Sequence, residues 1–383
     1  MEREKKLASN LLLFAVGNIG SKLLQFLLVP FYTAVLNPDQ YGISDILQTG
    51  SSLIIPIFSL TIAESVFRYG MEKSKDKRVV FSIGINVVTV GSVLILILGV
   101  VTQPFWSAVD SFMIWLMLFY SIANMYRNIT SQFLRAIGRV KLFTIDNVIQ
   151  TLSILILNIL LLVQFQMGVS GYMLGYILGN LISFVFGLVA GRLWKLFSVS
   201  QMSKKMLFEM LRFSIPLIPN TICWWISSST DRLMIIAWIG TAANGLYSVA
   251  HKIPSVLSVV VNIFVQAWQI SANEEFGQKG SSEFYSEIFE VLSAFCFVGA
   301  SFMILCSKIE IRLITNSEYY DAWPIMSALI MGMTFFSFAQ FLGTIYTANK
   351  KTAMAFITNL IAAVVNVVLN IFMIGRYGAV GAA

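Results

Sequence analysis

The chain has 383 residues, 57% of them hydrophobic and only 12% charged. A soluble domain carries about 25% charged residues, so soluble enzymes and scaffolds are excluded, and the lack of ten-residue alternating segments speaks against a transmembrane barrel. The formal net charge of +7 is no nucleic-acid signal, because the basic residues gather in short loops between apolar runs, which leaves an all-α polytopic membrane protein.

The first apolar span, Ser9–Leu36, is too long for a signal-peptide core and no small-residue cleavage site follows it, so it is expected to be retained. Lys22 falls near its middle, where a charge costs at least roughly 2.5–3.5 kcal/mol on insertion scales. Asn18, Ser21, Lys22 and Gln25 recur at helical spacing and give this span one polar face. A charged face inside lipid has to look into protein or into a water-filled cavity.

Helices are predicted over 9–34, 42–68, 79–102, 111–135, 142–165, 169–193, 209–239, 245–272, 286–307, 323–348 and 352–374, with a twelfth starting near 378. With the N-terminus inside, the cytoplasmic segments hold eighteen lysines and arginines and the external loops three, Lys308, Arg312 and Arg376. That bias sets the orientation. Five more lie within the spans: Lys22, Arg127, Arg212, Arg232 and Lys252.

Polar stripes mark several of these helices. The second carries Asp45, Gln48, Ser52, Ser59, Glu64 and Arg68, interrupted at Pro56; the fourth carries Asn124, Arg127, Asn128, Ser131 and Arg135. The eighth carries Tyr247, His251, Ser255, Ser258, Asn262, Gln266 and Gln269. An isolated Ser or Asn would read as interhelical bonding, but whole stripes on several helices point to a shared aqueous cavity. Glu64 and Arg68, one turn apart, can pair. Lys22 and Arg127 have no acid three or four residues away, so a partner comes from another helix or from an anionic ligand, and a guanidinium suits phosphate.

The fifth and sixth helices bring Asp146 and a row of small residues, Gly171, Gly175, Gly179, Ser183, Gly187 and Gly191, that lets another helix approach closely. Pro216 and Pro219 are expected to kink the long seventh helix. Trp224 and Trp225 after them suit lipid or packing better than sugar rings. Cys223, Cys296 and Cys306 have no paired spacing and read as buried apolar thiols, and with His251 the single histidine no metal site is expected. No phosphate-binding glycine loop ends in Gly-Lys-Ser or Gly-Lys-Thr. No Ser–His–Asp grouping is credible, and neither catalysis nor a cofactor is expected.

The two halves repeat. Ala136-Ile137-Gly138-Arg139, Asn147 and Asn158 match Ala348-Asn349-Lys350-Lys351, Asn359 and Asn370 at a constant shift of 212. Gly168-Val169-Ser170-Gly171 matches Gly378-Ala379-Val380-Gly381, and Gln40-Tyr41-Gly42-Ile43 resembles Ala243-Asn244-Gly245-Leu246. Six helices repeating in one orientation imply two lobes, 1–200 and 201–383, related by an axis along the membrane normal, with substrate expected between them. By the same repeat, the chain is expected to stop early in its twelfth helix. The counterpart of Lys22 falls near Cys223-Trp224-Trp225-Ile226, so that lysine belongs to one lobe only.

Gly17-Asn18-Ile19-Gly20-Ser21-Lys22, continuing to Pro30-Phe31-Tyr32-Thr33 and followed by Tyr41-Gly42-Ile43-Ser44-Asp45, resembles the Wzx-type polysaccharide-repeat flippases. So do Ser229-Thr230-Asp231-Arg232 leading to Asn244-Gly245-Leu246-Tyr247-Ser248, and Arg135-Ala136-Ile137-Gly138-Arg139. These flippases belong to the multidrug/oligosaccharidyl-lipid/polysaccharide exporter superfamily. The resemblance implies two six-helix lobes around a central cavity and alternating access in the cytoplasmic membrane. The implied cargo is an undecaprenyl-diphosphate-linked oligosaccharide carried from the inner to the outer leaflet, with other polysaccharide-assembly proteins as candidate partners. It also implies cavity cations, for which Lys22, Arg68, Arg127, Arg232 and Lys252 are the candidates. Glu64, Asp146 and Asp231 are candidate coupling or gate acids, and Asn18, Gln25, Asn124, Ser255 and Asn262 candidate cavity polar groups. The rival readings are a cation-coupled exporter of drugs or metabolites and, less favoured for want of a large external loop, a membrane glycan ligase or polymerase.

Overall fold

A computed structural model describes residues 28–105, 110–197, 203–275, 281–348 and 352–383. Its regular structure there is helical: α1 (28–35), α2 (Pro38–Phe58), α3 (Ile62–Met71), α4 (Lys77–Thr102), α5 (Ser111–Ala136), α6 (Val140–Asn158) and α7 (Gly168–Ala190). Then follow α8 (Lys204–Ser214), α9 (Leu217–Trp238), α10 (Thr241–Glu275), α11 (Ser281–Ile314), α12 (Trp323–Ala348) and α13 (Thr352–Tyr377). Six of the described helical segments are long and apolar enough to cross a membrane, and α2 with α3 makes a seventh span bent by 58°. The long helices outside that count, α5, α9 and α10, include those with the most polar stripes. The chain is an all-α, multi-pass membrane protein.

Two compact units form, one on Ile46–Trp225 and the other on Val29–Asp45 with Ile226–Ala383. In the first, Ile62, Val66, Phe81, Met125, Ile129 and Phe133 build the core shared by α3, α4 and α5, and Met206 and Met210 of α8 close it. In the second, Trp268 stacks on Phe341 with ring centroids 5.0 Å apart and donates from Nε1 to the Thr344 hydroxyl at 3.1 Å. Cys296 lies in that apolar cluster, whereas Cys223 and Cys306 are only half-buried; all three are free thiols.

Two predicted helices are each two. The helix expected over 42–68 breaks after Phe58, and Leu60 and Thr61 take left-handed φ of 51° and 47°. Pro56 itself lies inside α2, so the break falls later than the proline. The helix expected over 209–239 ends as α8 at Ser214 and restarts as α9 at Leu217, with Pro216 in the gap. Proline lacks the amide that would continue α8, so the result is a full break and not a kink. Arg212 therefore sits on α8, outside a membrane span.

α8 is 11 residues long, with Met206 and Met210 buried and Phe208 68% exposed. That is too short to span a bilayer and has the two-faced form of a helix lying along a membrane surface. Side chains of the α3 region hold it at successive turns. Thr61 Oγ1 donates to Ser214 O at 2.7 Å, Ser65 Oγ to Met210 O at 2.6 Å, and Tyr69 Oη to Glu209 O at 3.3 Å.

Lys75 adds an ion pair to Glu209 at 2.6 Å. Its hydrogen bond holds the Glu209 carboxyl below the usual range and lifts the Lys75 ammonium above its own. The pair is thus intact between the ordinary values of 4.5 and 10.5, fading as pH falls through the depressed carboxyl pKa or rises through the raised ammonium one. The protection factors of amides 204–214, exchange rates corrected for the intrinsic pH dependence, are expected to stay flat from pH 6 to 9 and to fall below about pH 4.5, with Lys75→Met removing that acid limb.

The helix starts of α2 and α10 meet in a reciprocal contact inside the second unit. A Cβ on Gly42 would lie 1.9 Å from Thr241 O, and one on Gly245 1.9 Å from Pro38 O. Pro38 and Thr241 each precede their glycine by four residues, so the same small-residue contact is made twice in exchange. These are the two glycines paired by the sequence repeat. Asn244 Nδ2 donates across the crossing to Gly42 O at 3.0 Å, and Thr241 hydrogen-bonds Asp39.

The glycine row of α7 also packs. Gly175 lies against Asn158 and Gly179 against Ile154, both on α6.

Candidate functional site

Apart from the Lys75–Glu209 pair, ionisable groups among the described residues pair at two places. In the first unit, α5 and α7 run side by side so that Arg127 meets Ser183, its Nε donating at 3.3 Å. Arg127 Nη2 hydrogen-bonds Asn147 Oδ1 and lies 3.8 Å from Asp146 Oδ2. Ser183 Oγ in turn donates to Asp146 Oδ1 at 2.5 Å. Asp146 is buried, and its charge opposes that of Arg127. The partner that Arg127 lacked on its own helix comes from α6, and burial makes the pairing obligatory.

In the second unit, Arg232 of α9 pairs with Asp45 of α2, Nη1 to Oδ1 at 3.2 Å, with 18% and 10% of the side chains exposed. Asn244 Nδ2 donates to Asp45 Oδ2 at 3.3 Å. Asp231 accepts from Tyr247 and, through Oδ1, from the Arg232 amide at 2.9 Å. One turn beyond Tyr247 on α10 come His251 and Lys252. Lys252 is half-buried and within electrostatic reach of Asp45 and Arg232, yet it forms no ion pair within 4 Å among the described residues. Ser255 Oγ donates to Lys252 O at 2.5 Å.

The structure thus brings Arg232, Lys252, Asp231 and Ser255 together, and places Arg127, Asp146 and Asn124 together elsewhere. Asn124 is hydrogen-bonded to Tyr120. Glu64 and Arg68 join neither cluster. Both are exposed, no ion pair joins them, and Arg68 lies 4.8 Å over the Phe213 ring. Lys22, Asn18 and Gln25 lie outside the described residues, as does the Asn262 side chain. Among the described residues no group of three His, Cys, Asp or Glu could hold a metal.

Asp45, Asn244 and Tyr247 were not among the candidate site residues. Asp45 and Tyr247 stood in the polar stripes, so the signal was present, but their ionic and hydrogen-bonded partners were not visible along the sequence. Trp225 is held against α2, its Nε1 donating to Thr49 O at 2.9 Å and Ser52 Oγ at 3.0 Å, while Trp224 is 48% exposed.

The sequence profile of the family described as polysaccharide biosynthesis protein matches residues 7–269. The Lsg locus putative protein 1 of Haemophilus influenzae is 26% identical over 275 residues, which are 68% of this chain and 64% of that protein. The match therefore spans less than two thirds of that relative. Among solved structures, an inward-facing multidrug resistance MATE family transporter of the MOP superfamily is similar with a TM-score of 0.74 at 13% identity, over 94% of this chain and 89% of that one. The lipid II flippase MurJ in an inward closed conformation is similar with a TM-score of 0.68 at 15% identity, over 97% and 83%. A MOP superfamily transporter from Pyrococcus furiosus follows at 0.61 and 13%, over 97% and 88%. At these identities the likeness is one of fold.

Proposed function

Since the chain belongs to the polysaccharide biosynthesis protein family, we propose that it is a flippase carrying an undecaprenyl-diphosphate-linked oligosaccharide from the inner to the outer leaflet of the cytoplasmic membrane. The N-terminus would face the cytoplasm, and the lobes 1–200 and 201–383 of the sequence repeat would alternate access. The observation that carries the reading is Lys252, a half-buried cation on the long helix α10 without an ion-pair partner among the described residues. An ammonium so placed is available to an anionic head group, whereas Arg127 and Arg232 already face Asp146 and Asp45. Lys22 and Arg68 remain candidates for the same role, and Glu64, Asp146 and Asp231 for coupling or gating. Other polysaccharide-assembly proteins would act before and after it.

The second reading, a cation-coupled exporter of drugs or metabolites, is favoured by the charge balance around Lys252. In the cluster of α2, α9 and α10, Asp45 and Asp231 equal Arg232 and Lys252 in number.

The test is leaflet exchange of a labelled polyprenyl-diphosphate-linked saccharide by the reconstituted protein. Lys252→Ala is expected to slow exchange at least about tenfold, the loss of one charge-assisted contact, with thermal unfolding unchanged. Full exchange in that variant sinks the cationic mechanism. Uphill transport of soluble cationic dyes in place of lipid exchange would favour the exporter.

A further inference from the structure

α5 and α7 present a second polar level, seven residues towards their N-termini from Arg127 and Ser183. There Tyr120 packs edge-on to Tyr176, centroids 6.1 Å apart, and Tyr176 lies against Tyr172, centroids 4.9 Å apart. Gln48 Nε2 of α2 donates to the Tyr172 hydroxyl at 3.1 Å, and that hydroxyl donates to Tyr176 Oη at 3.4 Å. Tyr120, Tyr176, Gln48 and Asn124 are half-buried, so their ring faces and polar edges are not fully enclosed by the protein.

The row continues down α7. Asn180, one turn past Tyr176, is fully buried, accepts from Gln150 Nε2 at 2.8 Å, and keeps an Nδ2 donor with no acceptor among the described residues.

We propose that Tyr120, Tyr172, Tyr176, Gln48 and Asn180 form a saccharide-binding subsite, a deepening that rests on the reading of the chain as a carrier of lipid-linked sugar. Sugar rings have an apolar C–H face and an equatorial rim of hydroxyls. Tyrosine matches both, with a rigid ring to stack on and a phenol that donates and accepts. Gln48, whose Nε2 is held by the Tyr172 hydroxyl, offers its amide oxygen as a further acceptor beside the rings. Tyr172 and Asn180, the two buried members, are positioning residues: Tyr172 fixes the Tyr176 ring and hydroxyl, and Asn180 holds the Gln150 amide one turn further along α7. Seven helical residues separate this level from Arg127, about 10 Å along the axis, a distance that a short saccharide spans. None of these groups is charged, so the subsite selects glycan and not phosphate.

Three probes separate this inference from the reading it rests on. They are synthetic undecaprenyl diphosphate, the lipid-linked saccharide fraction extracted from the producing cells, and the free saccharide released from that fraction by mild acid. Equilibrium binding to the purified full chain is expected to favour the sugar-bearing lipid over the bare diphosphate by at least tenfold, and the free saccharide is expected to compete. Tyr176→Leu and Tyr120→Leu are expected to abolish that preference while leaving affinity for the bare diphosphate unchanged, which also reports an intact fold. Tyr176→Phe keeps the packing volume and is expected to lose about threefold of the preference, the share of the hydroxyl. Equal binding of bare and sugar-bearing lipid by the wild type, or a preference surviving both Leu variants, overturns the subsite and leaves the flippase standing. Binding of none of the probes overturns both.

Discussion

Replacing Asp45 with asparagine is expected to destabilise the protein by about 3–5 kcal/mol, the range for removing one member of a buried ion pair. Asp45 is the acid that faces Arg232 at 3.2 Å, and its side chain is only 10% exposed. Asparagine preserves shape and can still accept from Asn244, so the loss isolates charge. Arg232 and Lys252 would then repel each other with Asp231 alone to balance them, and Asp231 is already committed to Tyr247 and the Arg232 amide. The check is thermal or denaturant unfolding in detergent. Adding Arg232→Gln to Asp45→Asn is expected to recover more than half of the loss, because the stranded charge goes with it. A shift below about 1 kcal/mol in the single variant would place the pair among exposed salt bridges instead.

The second large effect is expected at the reciprocal glycines. Gly42→Leu and Gly245→Leu each drive a side chain into a carbonyl that would stand 1.9 Å from the first new atom, and backbone cannot swing aside as a side chain can. Overpacking of this kind costs typically 1–3 kcal/mol, and here the start of α2 has to lift off α10 as a whole. Alanine variants are expected to lose a smaller part of the same energy. The contact is made twice by exchange, so the first substitution opens the gap that the second needs. The double variant is expected to fall short of the sum of the singles, measurable as a coupling in a double-mutant cycle. Strict additivity would show that the two glycines pack independently.

Much of this architecture could be read from residues alone, for identifiable reasons. The apolar runs and the polar stripes are local or periodic signals, and so is the row of small residues on α7. The break at Leu60 and Thr61 was hidden, because neither glycine nor asparagine marks a left-handed pair there, and Pro56 drew attention one turn early. Pro216 was visible but read as a bend, since the apolar residues of α8 run into those of α9 and disguise an ending. Ion-pair partners were least legible. Arg127 meets Asp146 from the next helix, and Arg232 meets Asp45 from a helix 187 positions earlier in the chain. Such pairings depend on helix register and rotation, which spacing within one helix does not contain. Which of the described cations has an answering charge is therefore visible only in three dimensions.

The fastening of α8 carries a consequence for how the chain can change. At Thr61, Ser65 and Tyr69 the donors are side chains, but their acceptors on α8 are main-chain carbonyls of 214, 210 and 209. Every amino acid brings the same carbonyl, so the lettering of α8 is free to drift at those positions while α3 must keep its hydroxyls. Insertion or deletion of one residue is another matter, since it turns each following carbonyl about 100° around the helix axis. The seam between α3 and α8 is therefore written in register and length on one side and in residue identity on the other.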